Sequence, residues 1–161
     1  MSHRAGELAE KLNLVPHPEG GLFREVYRSE SPVYPTDGRG SRPAITGIYF
    51  LLPAGAFSRW HRVQSDEIWH FYEGAPLELW SATPAADRVE RHLLGACSDT
   101  LEPMLTVRAG WWQAARSSGA YTLVGCTVGP GFDFSDFVLA ADIPSAAASF
   151  RSHDPALAEL L

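Results

Sequence analysis

From residue 44 to residue 140 the chain is a succession of short β-branched and aromatic runs, and this pattern limits the fold more than any other feature. The runs are AITGIYFLL, FSRWHRV, EIWHFYEG, PLELWSAT, RVERHLL, MLTVRAG, GWWQAAR, YTLVGCTV and FDFSDFVLA. Most end at Gly, Pro, Asp or Ser. Short strands separated by turn residues imply antiparallel neighbours joined by hairpins, in a sandwich or barrel. Strands do not alternate with long helices, so a parallel sheet is excluded. No G-x-G-x-x-G follows a strand, so nothing points to a dinucleotide fold.

The flanks read differently. Residues 4–14 carry Leu8 and Leu12 at helical spacing, and Pro16 stops the run. HPEGGLFREVYRSE then alternates as a strand, after a Gly20-Gly21 pair that lets the backbone turn. Residues 30–43 hold three Pro and two Gly and read as a loop. The tail returns to short helices, with Ser145 expected to cap one and Asp154-Pro155 to begin another. One domain over residues 1–161 is expected, long enough to bury a core without staples.

Charge narrows the partners. The net charge is −6 and no basic run exists, which argues against nucleic acid and against an anionic membrane surface. No apolar run approaches the roughly 18 residues of a spanning helix, and the first residues lack the apolar core of a signal peptide. A cytoplasmic location is expected. Cys97 and Cys126 have no CxxC pairing and read as free thiols, Cys126 as a small core residue.

Chemistry concentrates between Gly55 and Gly74, GAFSRWHRVQSDEIWHFYEG. His61 ends one apolar run and Glu67 begins the next, so two adjacent strands present an imidazole and a carboxylate to one space. A carboxylate starting an apolar strand is costly to bury unpaired. The pair is therefore either a partial site for a divalent metal or an acid–base pair. Asp66 fits a turn. In a regular strand Trp69 shares the face of Glu67 and His70 takes the other, unless a bulge intervenes. Trp69, His70, Gln113, Glu19 beside Gly20-Gly21, and Arg24 are the candidate ligand contacts. Arg28, Arg59 and Arg62 are further cations. Most aromatics, Trp60, Phe71, Trp111 and Trp112 among them, read as core.

The spacing resembles the first cupin motif. Gly55, His61, Glu67 and Gly74 fall at its positions, with Val63 where a second His belongs. The second motif is degraded: Gly110 starts it, Arg116 and Ser118 replace its Pro and Gly, and Tyr121 takes the position of the last ligand His. HPEGGLFREVYRS, WHRVQSDEIWHFYEG, GWWQAA and YTLVGCTVGPGFDFSDF resemble the cupin-5 family, a domain of unknown function. That resemblance implies an all-β fold, the double-stranded β-helix or jelly-roll barrel, with short N-terminal and C-terminal helices. It implies a homodimer and a small-molecule ligand.

Three functions stay open. Metal-free cupins that epimerise sugars on nucleotide carriers pair a His with a Tyr. By that likeness the chain is an isomerase or epimerase acting on a sugar or other carbonyl-bearing metabolite. His61 would then be the base, Tyr121 the acid and Glu67 or Asp66 the orienting carboxylate, with no cofactor. A non-catalytic small-ligand binding or sensing protein is the second. A metal-dependent cupin enzyme with an incomplete ligand set is the third, holding one divalent metal ion through His61 and Glu67, with His70 or Glu19 completing the set only where the backbone brings them inward.

Overall fold

The computed structural model describes residues 1–161. Helix α1 spans His3–Lys11, with Ser2 as its N-cap accepting from Ala5 N–H. The strands follow as β1 Val15–Pro16, β2 Leu22–Arg28, β3 Pro32–Val33, β4 Arg42–Pro43, β5 Thr46–Pro53, β6 Phe57–Val63 and β7 Asp66–Gly74. Then come β8 Leu77–Ala82, β9 Val89–Leu94, β10 Met104–Val107, β11 Trp112–Ser117, β12 Tyr121–Gly129 and β13 Phe137–Leu139. Helices α2, Pro144–His153, and α3, Pro155–Ala158, close the chain.

Two antiparallel sheets face each other. One has six strands in the order β1-β2-β5-β12-β7-β10, the other five in the order β13-β6-β11-β8-β9. This is the expected jelly roll. Side chains alternate between the faces of a sheet, so the pairing register decides which residues meet inside. Across the six-stranded sheet, Arg28, Thr46, Val128, Glu67 and Val107 form one inward row. Across the five-stranded sheet, Leu139, His61, Gln113, Ser81 and Glu90 form the opposing row.

Phe50, Leu52, Trp69, Leu77, Leu79 and Val124 fill the space between the sheets beside these polar rows. The outer face of the five-stranded sheet is covered by α2 and α3, where Phe150 stacks on Trp60 at 4.1 Å. Helix α1 covers one end of the other sheet through Ala5 and Leu8 on Leu51 and Leu123.

Two local expectations are corrected. FDFSDFVLA was expected to be one strand. It folds instead as a 3-10 turn, Phe134–Asp136, followed by the short β13, because Asp133 caps Ser135 N–H and breaks the extended run. Ser145 does not cap α2; it lies inside the helix, and Pro144 occupies the first turn after Ile143. Asp154 does cap α3 by accepting from Ala156 N–H.

Candidate active site

A cavity of about 70 Å³ opens between the sheets, lined by His17, Glu19, His61, Glu67, Cys126 and Val63 within, and by Glu25, Arg28, Phe132 and Phe134 toward the mouth. His61 reaches it from β6, with Gln113 buried behind at the paired position on β11. Glu67 comes from the facing sheet. Glu19 arrives on the segment before β2, which lies against β6: Arg59 N–H donates to Glu19 O at 2.8 Å. Gly20 makes this approach possible. Its φ is +112°, and a Cβ there would sit 2.1 Å from Phe57 O.

Donor and acceptor roles follow from the partners. His61 Nδ1 lies 2.7 Å from Arg59 O, an acceptor, so Nδ1 carries the proton. The Nε2 lone pair is therefore turned inward. Trp69 Nε1–H donates to Gln113 Oε1 at 2.9 Å, which fixes the amide. Gln113 Nε2 then donates to Glu67 Oε2 at 2.6 Å and approaches His61 Nε2 at 3.1 Å.

His61 Nε2 also lies 3.2 Å from Glu19 Oε2. Two lone pairs would repel there, so one proton is shared between them. Burial lowers the His61 pKa, against the pull of Glu67, and raises that of Glu19. Both shifts favour the neutral arrangement, Glu19 O–H donating to Nε2. The other Glu19 oxygen accepts from Ser58 Oγ at 2.8 Å.

Burial also raises the Glu67 pKa, with Glu19 adding repulsion while His61 and Gln113 oppose the rise. The Cys126 thiol beside it is pushed up by burial and then by the Glu67 charge. His17 accepts the Glu19 backbone N–H on Nδ1 at 3.2 Å, so its own proton sits on Nε2. Burial lowers its pKa as well.

A folded-state carboxyl pKa above its ordinary 4.5 costs stability as pH rises through that window, because the unfolded chain releases its proton first. Glu67→Gln removes this term and keeps an acceptor for Gln113. The expected result at pH 8 is a variant about 1 kcal/mol more stable, or about 2–4 °C in Tm. The gap should close toward pH 4.5, measured by thermal melts across that range. A variant less stable at pH 8 would contradict the buried-charge cost.

The other expected site residues separate by strand parity. Trp69, Gln113 and Glu19 belong to the network. Arg24 does not: it lies on the outer face in register with Tyr49, over whose ring it packs at 5.8 Å. His70 shares that outer row, 3.3 Å from Thr127 Oγ1. The bulge in the β7–β12 pairing lies beyond it, between Phe71 and Glu73, and leaves its phase unchanged. Tyr121 is also outside the cavity. It packs under α1 and donates to Glu73 Oε1 at 2.7 Å, where the Arg4 hydrogen bond holds the Glu73 carboxyl at about 2. Counting along the motif put Tyr121 opposite His61; the alternation of β12 turns it away.

The sequence reasoning missed His17, Cys126 and the contribution of Phe132 and Phe134. Cys126 had a legible signal, since it shares the inward phase of Val124 and Val128. His17 had a weaker one, two residues before Glu19 in the same turn.

A divalent metal does not fit these donors. His61 and Glu67, the pair expected to ligate one, are bridged by an amide whose N–H groups point at both. Val63, at the second-His position, is buried and has no donor atom. No group of three His, Cys, Asp or Glu side chains is arranged to hold an ion.

Fold and cavity together define a cupin jelly roll with a buried His–carboxyl cluster. The chain matches the family described as Cupin superfamily (DUF985) over residues 6–140, and it belongs to that family. A hypothetical protein from Leishmania major is 31% identical, with 97% of each chain covered and a TM-score of 0.85. A protein from Shewanella oneidensis is also 31% identical, covering 97% of this chain and 96% of its own, at 0.84. Oxalate decarboxylase from Bacillus subtilis shares the fold at 12% identity and a TM-score of 0.58, over 87% of this chain and 31% of its own. No curated protein matches the sequence. No helix is long and apolar enough to cross a membrane.

Proposed function

We propose that the protein is a small-molecule enzyme that moves a proton at the carbon next to a carbonyl, in the manner of an isomerase, without a metal. One observation carries this. The Arg59 carbonyl fixes the His61 tautomer, so the Nε2 lone pair faces the cavity between the Gln113 N–H at 3.1 Å and the Glu19 carboxyl at 3.2 Å, whose pKa burial raises.

When a substrate carbonyl enters, Glu19 O–H turns from Nε2 to the carbonyl oxygen. Nε2 takes the proton from the adjacent carbon, the C–H electron pair becomes the C=C of an enol, and the carbonyl π pair takes the Glu19 proton. Glu67 balances the imidazolium charge across the Gln113 bridge. Reversal returns the proton from His61 to either carbon, on the face from which it was taken. Glu19 is the acid in place of Tyr121, acting at the carbonyl oxygen rather than at the opposite face of the carbon.

The test is deuterium incorporation from D2O into small aldehydes and ketones, followed by NMR, with metal analysis of protein purified without chelators. Exchange above the buffer rate in metal-free protein is expected. Exchange that needs an added metal, or no exchange with any carbonyl compound, overturns the proposal. The second outcome would favour a binding protein.

The homodimer is part of the same proposal. Tyr27, Tyr72 and Met104 are each more than half exposed on the uncovered outer face of the six-stranded sheet. Sedimentation should give about twice the 17.6 kDa chain mass; a single-chain mass at micromolar concentration would refute the dimer.

A further inference from the structure

The cavity mouth contains one permanent cation, and a bulge puts it there. In a regular strand Glu25 and Arg28, three residues apart, would face opposite sides. The β2–β5 pairing slips between Glu25 and Tyr27, and both residues turn toward the cavity. Arg28 Nε and Nη2 donate to Glu25 Oε1 and Oε2 at 2.9 and 2.6 Å, and Nη1 donates to Phe132 O at 3.2 Å. Three of the five guanidinium N–H groups are used, which leaves one on Nη1 and one on Nη2. Each Glu25 oxygen keeps a further lone pair. Donors and acceptors therefore stand side by side in a fixed frame.

Charge decides what such a frame selects. Arg28 is the only Arg or Lys lining the cavity. Glu25 neutralises it, and Asp133 lies close enough to stabilise its charge. With its one guanidinium already paired to Glu25, the cavity lining offers an anion no free positive charge, and no second Arg or Lys lines it to grip a phosphate or diphosphate. The walls, Phe23, Phe132 and Phe134, offer ring faces to C–H groups. The enclosed space holds roughly five waters, which limits the buried part of a ligand to a short carbon chain. Arg28 and Glu67 lie in one inward row, three strand spacings apart, roughly 14 Å between backbones. Their side chains narrow that gap to the reach of such a chain.

We infer that the site takes a neutral polyhydroxylated carbonyl compound, a short free aldose or ketose. Two adjacent hydroxyls bridge Glu25 and Arg28, one donating and one accepting, and the carbonyl end points to His61. This rests on the proton-transfer proposal for its orientation but not for its binding. Nucleotide-linked sugars, the substrates implied by likeness to the epimerases, are excluded by the missing cations.

Titration calorimetry with D-erythrose, D-xylose and D-xylonate tests the inference. D-xylonate carries a carboxylate on the xylose skeleton. The two sugars should bind the wild type and D-xylonate should not. Glu25→Gln should weaken xylose by roughly ten- to a hundred-fold and, by leaving Arg28 uncompensated, reverse the order so that xylonate binds better. Arg28→Gln should weaken xylose and gain no xylonate binding. Xylonate binding the wild type as well as xylose, failure of both sugars to bind, or an unchanged preference in Glu25→Gln each overturns the inference. Sugar binding without deuterium exchange removes the proton-transfer proposal alone; exchange confined to anionic substrates removes this one alone.

Discussion

His61→Gln should lower the rate of deuterium exchange by about 10²–10⁴-fold, the usual contribution of a positioned general base. The side chain is 2% exposed and its Nε2 lies 3.2 Å from Glu19 Oε2, whereas the other unprotonated ring nitrogen beside Glu19, His17 Nδ1, lies 3.5 Å away and already accepts the Glu19 backbone N–H. Glutamine keeps a donor for Arg59 O, so the fold should survive, with circular dichroism and Tm close to wild type. Loss of exchange with the melt preserved separates chemistry from folding. Tyr121→Phe is the matched control. Its hydroxyl is bonded to Glu73 under α1, outside the cavity, so exchange should stay at the wild-type rate. Equal losses in the two variants would contradict the site, and a His61→Gln rate equal to wild type would remove His61 as the base.

Asp136→Ala should be the most damaging change away from the cavity. Asp136 is 7% exposed. Its carboxylate accepts from Arg42 Nε and Nη2 at 2.8 and 2.6 Å and from Arg39 Nη1 at 3.1 Å. Arg39 Nη1 also donates to Ser65 Oγ at 3.0 Å. One buried acid thereby ties the 36–43 loop to the turn that presents Phe132, Phe134 and Phe137 near the cavity. Removing it leaves the Arg42 guanidinium without its carboxylate partner and Arg39 with Asp37 alone, at 3.1 Å, and Tm should fall by several degrees. The Arg42 hydrogen bond holds the Asp136 pKa below its ordinary 3.8. The contribution is therefore present above pH 3.8 and is lost as pH falls toward the folded value. The wild-type and variant melts should converge in acid. A Tm change under 2 °C at pH 7 would show that the network is dispensable.

Strand existence was legible because nearly every run carries β-branched or aromatic residues between turn residues, and FSRWHRV matches β6 at both ends. The His61–Glu67 pair was legible for the same reason: both lie near strand ends separated by a tight link. What sequence spacing did not carry was parity over a distance. Tyr121 occupies a motif position, yet its neighbours Thr122, Val124 and Cys126 hold the inward phase of β12. Arg24 and Arg28 looked equivalent in LFREVYR until a bulge at Val26 turned one to the mouth and left the other outside. Glu19 was placed near the pocket by its glycines, but its burial against His61 depends on a backbone contact with β6 that no local pattern encodes. Gln113 read as ambiguous because its role needs Trp69, 44 positions away, to fix the amide.

The ionisation and tautomer of His61 decide the mechanism, and nitrogen-15 NMR of histidine-labelled protein reads both directly, with His61→Gln assigning the signal. At pH 7 the His61 ring should show a protonated Nδ1 and a bare Nε2. It should remain neutral below the ordinary His pKa of 6.5, since burial lowers its own. A proton on Nε2 with Nδ1 bare, or an imidazolium at neutral pH, would contradict it.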